Sequence, residues 1–233
     1  MNKESISSHL LELRTRLIRV LVCLGILSVA GIPFASQIYA FVASPLLDIL
    51  PAGSSMIATQ VTSPFMATLK LVLFSALLIT MPYLFYEIWM FMSPGLYKNE
   101  KSFVGPLMVS TILLFSAGVA FAYLIVLPII FKFFIGVAPE SIQVMTDINQ
   151  YLSFVIKLIF AFGIEFEIPI ATFLLIRTGI AKKESLIKAR PYLIILFFVI
   201  GMLLTPPDIF SQLFLAIPMW ILFELGLLFS KNK

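Results

Sequence analysis

Six long apolar stretches, separated by polar gaps, account for most of the chain. Their length and apolar character are typical of membrane-spanning helices. The predicted spans cover about residues 17–34, 65–92, 103–127, 151–176, 191–204 and 212–229. The sequence therefore predicts an all-α integral membrane protein with a single six-span membrane domain over residues 1–233.

Three segments outside the spans have patterns of their own. Within about residues 5–16, apolar residues recur at helical spacing opposite charged positions. This pattern predicts an interfacial helix that runs into the first span. The gaps at about 35–64 and 128–150 are long and contain several prolines. Connections of that length are usually ordered for a reason, so we expect both gaps to form outer cap segments.

The predicted spans differ in length. Spans 2 to 4 have about 25–28 residues, or about 40 Å of helix, so they can cross a core of about 30 Å only by tilting or projecting. Span 5 has about 14 residues, or about 21 Å, and needs a thinned bilayer or its flanking residues. We therefore expect a curved bundle with one thin side.

The basic residues indicate the orientation. Thirteen of the sixteen Lys and Arg residues lie in alternate polar segments, which include both termini, or, for Arg19, at the start of the span that follows one. Positively charged loops stay on the cytoplasmic side, so we expect both termini to be cytoplasmic. The mean hydropathy of +1.07 excludes an ordinary soluble globule. The net charge of +4 is explained by orientation and contact with anionic lipid, and we expect no nucleic-acid partner.

The sequence has no pattern that indicates an enzyme. It contains one His and one Cys, without the spacing of metal ligands, and no glycine-rich phosphate loop or nucleophile elbow. We therefore expect no catalytic residue, no metal and no cofactor. His9 is interpreted as an interfacial polar residue and Cys23 as packing.

Two acidic residues lie among basic residues in gaps that we expect to be cytoplasmic. Glu12 and Glu100 are, taken singly, ordinary ion-pair partners worth about 0–1 kcal/mol. Together they could bind a cationic peptide, and bidentate carboxylate contacts would favour Arg over Lys. Glu87 and Glu224, near the ends of spans 2 and 6, are expected to have capping or interfacial roles.

Two further acids lie inside span 4. A carboxylate in that position costs roughly 2.5–3.5 kcal/mol on insertion scales. Glu165 and Glu167 lie about 200° apart around the helix, so they face different neighbours. Either acid could be protonated or hydrogen-bonded inside the bundle, or could serve a function. Pro169 cannot donate to the carbonyl of Glu165, which frees a polar backbone group nearby.

Five motifs, in order along the chain, resemble those of one family. They are HLLELRTRL at 9–17, SPF at 63–65, SPGLYKNE at 93–100, AFG with FEIP at 161–169, and GMLLTPPD at 201–208. With six spans in the matching orientation, the whole chain resembles TatC, the multispanning core of the twin-arginine protein translocase.

The resemblance implies a receptor and scaffold for protein export in the bacterial inner membrane. Such a protein recognises the Arg-Arg signal peptides of folded proteins at its cytoplasmic face. By resemblance, Glu12 and Glu100 bind the signal, together with the aromatic residues Trp89 and Phe91. Transport is driven by the proton-motive force, without nucleotide hydrolysis on this subunit.

The resemblance also implies partners. Glu167 corresponds to an intramembrane acid that helps to receive single-span TatA- and TatB-type subunits. Glu165 is grouped with it, although the family motif usually has a non-acidic residue there. Pro45 and Asp208 correspond to outer-face positions linked to function. We also expect contact with lipid and self-association within a complex.

Two other functions remain open at this point. One is a proton- or ion-coupled secondary transporter, with Glu165 and Glu167 as a relay; the lack of an evident internal repeat weakens it. The other is a membrane anchor without activity, which leaves the acidic residues unexplained.

Overall fold

Helices make up nearly all of the regular structure. The computed structural model describes residues 3–50, 56–92, 101–137, 145–205 and 208–230. Its α-helices are α1 Lys3–Gly31, α2 Ala35–Leu47, α3 Ser63–Met92, α4 Lys101–Phe121, α5 Leu127–Val137, α6 Ile148–Glu165, α7 Ile168–Arg177, α8 Lys183–Lys188, α9 Arg190–Leu204 and α10 Ile209–Phe229. A 3-10 turn joins α1 to α2, and a π-helical turn joins α4 to α5.

The predicted six-span, all-helical membrane architecture is confirmed. Five helical stretches in the described ranges are long and apolar enough to cross a membrane: His9–Leu47, Ser63–Met92, Val104–Val137, Ile148–Arg177 and Ile209–Phe229. The remaining span is the shorter apolar helix α9, with 15 residues. It is about 22 Å long at ~1.5 Å per residue, which agrees with the short fifth span.

The first and third spans continue past their predicted ends. Pro33 does not end the first span, because it lies in the 3-10 turn Ile32–Phe34, where a missing N–H is tolerated. The helix resumes at Ala35, so residues 35–47 of the first cap segment are helical. The third span likewise reaches Val137. Residues 5–16 lie in α1 and are continuous with the first span.

Two compact units make up the chain, and the candidate site residues divide between them. The first comprises Met1–Val42 and Pro64–Ile112, and the second comprises Ala43–Ser63 and Leu113–Lys233. Glu12, Glu87, Trp89 and Phe91 lie in the first unit; Pro45, Glu165, Glu167 and Asp208 lie in the second.

Glycine permits close helix packing in the second unit. A Cβ atom at Gly118 of α4 would overlap the backbone oxygen of Phe162 in α6. A Cβ atom at Gly226 of α10 would lie 2.8 Å from Cβ of Thr172 and 3.0 Å from Cα of Pro169. Only glycine permits both approaches, and they hold α4 and α10 against the two halves of the fourth span.

The segment before α3 is joined to the start of α6 by a set of contacts that we call the clasp. It is formed by Ile57, Thr59, Thr146, Asp147 and Ile148. The Ile57 amide donates to Thr146, and the Ile148 amide donates to Ile57, each at 3.0 Å. The Asp147 carboxylate accepts from the amide and hydroxyl of Thr59 at 3.1 and 2.6 Å. The clasp thus orders parts of both predicted cap segments within the second unit.

Acidification is expected to loosen the clasp. The pKa of Asp147 is lowered by the hydrogen bonds from Thr59 and from the backbone amides of Gln150 and Asn149. Because the native pKa lies below the ordinary value of about 3.9, the stabilisation is present above that pH and is lost as the pH falls through the native value. The protection factors of the Ile57 and Ile148 amides, which compare exchange with that of an unstructured chain at the same pH, should therefore fall below about pH 4.

The same loss is expected at neutral pH in Asp147→Ala, which also removes the cap of α6. Asp48→Ala, at an exposed aspartate in the same unit, is the control. Unchanged exchange at Ile57 in Asp147→Ala would contradict the role given to this carboxylate.

Candidate functional site

Helices α1 and α3 bring together four charged side chains in the first unit: Glu12, Arg16, Arg19 and Glu87. We call them the charge cluster. Arg16 donates from Nε and Nη2 to Oε1 of Glu12, at 3.0 and 2.7 Å. Its Nη1 donates to Oε2 of Glu87 at 2.7 Å. Arg16 therefore bridges two carboxylates that belong to different helices.

Glu87 is the buried member of the charge cluster, with 4% of its surface exposed. Its Oε1 accepts from the Tyr83 hydroxyl at 2.8 Å and lies 3.8 Å from Nη1 of Arg19. Its two oxygens thus have the partners that a buried carboxylate requires. This differs from the capping or interfacial role expected from the sequence. One sequence feature could have indicated this contact. Glu87 lies near the end of span 2, which the charge pattern predicts on the same side of the membrane as the cationic start of α1.

Glu12 is the accessible acid of the charge cluster. It lines a surface pocket of about 370 Å³ together with Leu11, Thr15, Arg16 and Arg19. Arg16 occupies Oε1, whereas Oε2 lies 3.8 Å from Nδ1 of His9, beyond hydrogen-bonding distance. Oε2 can therefore accept hydrogen bonds from a ligand in the pocket.

The two aromatic candidates have different positions in the first unit. Phe91 stacks on His9, with ring centroids 4.2 Å apart, and so lies beside Glu12. Trp89 is buried, and its Nε1 donates to the Thr111 hydroxyl at 3.3 Å. Phe91 thus packs against α1 close to Glu12, whereas Trp89 joins α3 to α4. Glu100, with the motif at 93–100, lies outside the described residues.

The intramembrane acids lie at a break in the fourth span. Helix α6 ends at Glu165 and α7 begins at Ile168, with Pro169 in its first turn, so the helix is interrupted next to the carbonyl that Pro169 was expected to free. Glu165 is 2% exposed, and neither carboxylate oxygen has a hydrogen-bond partner among the described residues. Glu167 occupies the position before α7 and remains partly exposed. The two acids therefore have the different surroundings expected from their spacing.

The two candidate outer-face residues are structural parts of helices in the second unit. Pro45 is buried inside α2. Asp208 caps α10, where its Oδ1 accepts from the Ser211 amide at 2.7 Å. Its Oδ2 is buried without a hydrogen-bond partner in the described ranges. Residues 206–207, which precede this cap, lie outside those ranges.

These features define a polytopic helical membrane protein that has an arginine-bridged acid pair beside an open pocket. No group of three or more potential metal ligands occurs in the part of the chain that the structure describes. The model of the family described as "Sec-independent protein translocase protein (TatC)" matches residues 8–218. The chain belongs to the TatC family.

Individual relatives agree with this family assignment. The chain is 53% identical to a Sec-independent protein translocase protein TatC from Azotobacter chroococcum, over 96% of this chain and 88% of the relative. It is 49% identical to that of Escherichia coli K12, over 96% and 87%. A crystal structure of the twin arginine translocase receptor TatC in DDM is 36% identical, with a TM-score of 0.87 over 96% of this chain and 99% of that one.

The family defines the general activity. The chain is a membrane subunit of a Sec-independent protein translocase, and its family is one of translocases and not of enzymes. The alternative of a secondary transporter with Glu165 and Glu167 as a relay is not supported, because relatives that cover nearly the whole chain are protein translocase subunits.

Proposed function

We propose that this chain is the receptor that binds the Arg-Arg signal peptides of folded proteins and forms the scaffold of their export site. The contact between Arg16 and Glu12 carries the proposal. Arg16 is itself an arginine, and it binds the carboxylate through two guanidinium nitrogens. The other oxygen of the same carboxylate is left for a ligand at an open pocket.

The geometry favours arginine over lysine in the ligand. A guanidinium presents several N–H donors in a fixed plane, whereas an ammonium is a compact point charge. Glu12 at one end of the site and Glu100, in the motif at 93–100, would each receive one arginine. Phe91, stacked on His9, would form the apolar edge beside Glu12. Trp89 would act from within the unit by holding α3 against α4.

The distribution of positive charge supports a cytoplasmic position for this site. Alternate polar segments carry twelve of the sixteen Lys and Arg residues, with Arg19 just inside the first span, and the segment with Glu12 is one of them. Both termini would then be cytoplasmic and the membrane would be the bacterial inner membrane. The outer face would then carry the clasp, Pro45 and the cap at Asp208. We propose that Pro45 and Asp208 contribute to function there.

Binding of a labelled signal peptide tests the proposal. The full chain in lipid nanodiscs should bind a peptide with an Arg-Arg pair about tenfold more tightly than the same peptide with Lys-Lys, a difference of about 1.4 kcal/mol. Fluorescence anisotropy measures both dissociation constants. Equal affinities for the two peptides, at equal charge, would refute arginine recognition at this site.

We further propose that the break in the fourth span receives single-span TatA- and TatB-type subunits during transport driven by the proton-motive force. Glu167 is partly exposed at that break, and a polar group inside a membrane favours a polar partner. Glu165 is buried and would affect docking only indirectly, through the geometry of the break.

Glu167→Ala is expected to reduce crosslinking between α7 and such a partner helix, because it removes an interhelical hydrogen bond worth about 0.6–2 kcal/mol. Glu167→Gln retains hydrogen-bonding capacity and should have a milder effect. Glu165→Gln, which keeps the side-chain volume at the buried position, is the matched control and should leave the yield unchanged. Equal yields in wild type and Glu167→Ala would remove Glu167 from the docking site.

A further inference from the structure

The charge cluster contains a carboxylate that no ligand in the pocket needs to touch. Glu87 is almost completely buried and does not line the pocket at Glu12. Two of its hydrogen bonds come from Arg16 and Tyr83. Glu12 is the acid at the pocket, and Arg16 is bound to both acids.

Glu87 contributes a negative charge that balances one of the two arginines. The charge cluster contains two carboxylates and two guanidinium groups, so its net formal charge is zero. Without the charge of Glu87, the two arginines would outweigh Glu12 and the net charge would be +1. A site that carries +1 would repel a doubly charged arginine pair before the pair could reach Glu12.

The distances make this effect strong. Arg16 lies 2.7 Å from Oε1 of Glu12, so a guanidinium bound at Oε2 is separated from Arg16 by one carboxylate group. That separation is within a Debye length of about 8 Å at physiological ionic strength. The burial of Glu87 also limits screening by solvent, because interactions of buried charges are screened less than those at the surface.

We propose that Glu87 sets the affinity of the Glu12 site for a cationic segment by cancelling the charge of Arg16. This inference rests on the proposed binding of an arginine pair at Glu12. Glu87 acts through Arg16 as a positioning and charge-balancing residue, without contact to the ligand. The assigned role concerns net charge, so substitutions with opposite effects on the charge have opposite effects on affinity.

Three variants test the role of charge. Glu87→Gln leaves a net charge of +1, Arg16→Gln leaves −1, and the double variant Arg16→Gln/Glu87→Gln returns to zero. The probe is a fluorescent peptide with an Arg-Arg pair ahead of an apolar segment, and the full chain is held in nanodiscs of neutral phosphatidylcholine. Neutral lipid keeps the membrane surface from contributing its own attraction.

At an ionic strength of about 0.01 M, where the Debye length is about 30 Å, the affinities should follow the net charge. Glu87→Gln should bind about fivefold more weakly than wild type, and Arg16→Gln about threefold more tightly. The double variant should fall within about twofold of wild type. Both single-variant effects should shrink at about 0.15 M.

If Glu87 had a purely structural role, the order of affinities would differ. All three variants would bind the peptide more weakly than wild type, and salt would have no effect on the differences. That order, or unchanged binding in Glu87→Gln, would overturn the inference. Should Glu87→Gln fold poorly, Arg16→Gln alone decides, because weaker binding at net −1 contradicts the charge argument. The proposed function fails separately, if wild type binds Arg-Arg and Gln-Gln peptides equally.

Discussion

Glu12→Gln is expected to weaken binding of an Arg-Arg signal peptide by about tenfold to a hundredfold, since a hydrogen bond to a charged group contributes about 1.5–3 kcal/mol. The partial exposure of the Glu12 side chain, 37%, favours the lower part of that range. Peptide titration by anisotropy gives the ratio of dissociation constants. The variant should still fold, because Arg16 retains its contact with Glu87.

Glu184→Gln is the matched control for this experiment. It removes the same charge from an exposed glutamate on α8, which lies in the second unit. A comparable loss in both variants would mean that the overall charge of the protein, and not the pocket at Glu12, determines the affinity.

The second large effect concerns stability. Gly118→Ala should lower the free energy of unfolding by about 1–3 kcal/mol, because the new methyl group would clash with the backbone oxygen of Phe162. A backbone atom cannot move aside as the end of a flexible side chain can, so α4 and α6 must separate. A thermal unfolding scan of the purified protein in one detergent would show a lower midpoint.

Gly25→Ala is the matched control for Gly118→Ala. Gly25 lies in α1, and a Cβ atom there would have no heavy atom within 4 Å. Alanine favours a helix over glycine by about 1 kcal/mol, so this variant should be as stable as wild type or more stable. If both alanine variants had the same unfolding midpoint, the close approach at Gly118 would not limit the packing.

The spans and their approximate ends could be predicted from the sequence because a membrane helix is determined by local composition. Span 5 was predicted to be short, and α9 is short. The helices of the first and third spans continue past their predicted ends, and for the first span the reason is local. The predicted end at residue 34 directly follows Pro33, but a proline in the first turn of a new helical segment costs no hydrogen bond.

Contacts between helices were not predictable in the same way. Glu12 was identified from its position among basic residues, but its partner Glu87 lies 71 positions after the bridging Arg16. Nothing in the local pattern relates those two positions, so Glu87 was given an ordinary interfacial role. The acids of the fourth span were easier to find, since a carboxylate inside an apolar run is itself unusual.

The clasp has a consequence for how the protein is made. Thr59 and Asp147 are separated by 88 positions, and the helices from α3 to α5 lie between them. During synthesis Thr59 emerges first, and its partner emerges only after the second and third spans have been made. The clasp can therefore close only when the chain that forms this hairpin is complete and both of its ends have reached the same side of the membrane. Its formation would mark a late step of membrane insertion, and a nascent chain that ends before residue 145 would lack it.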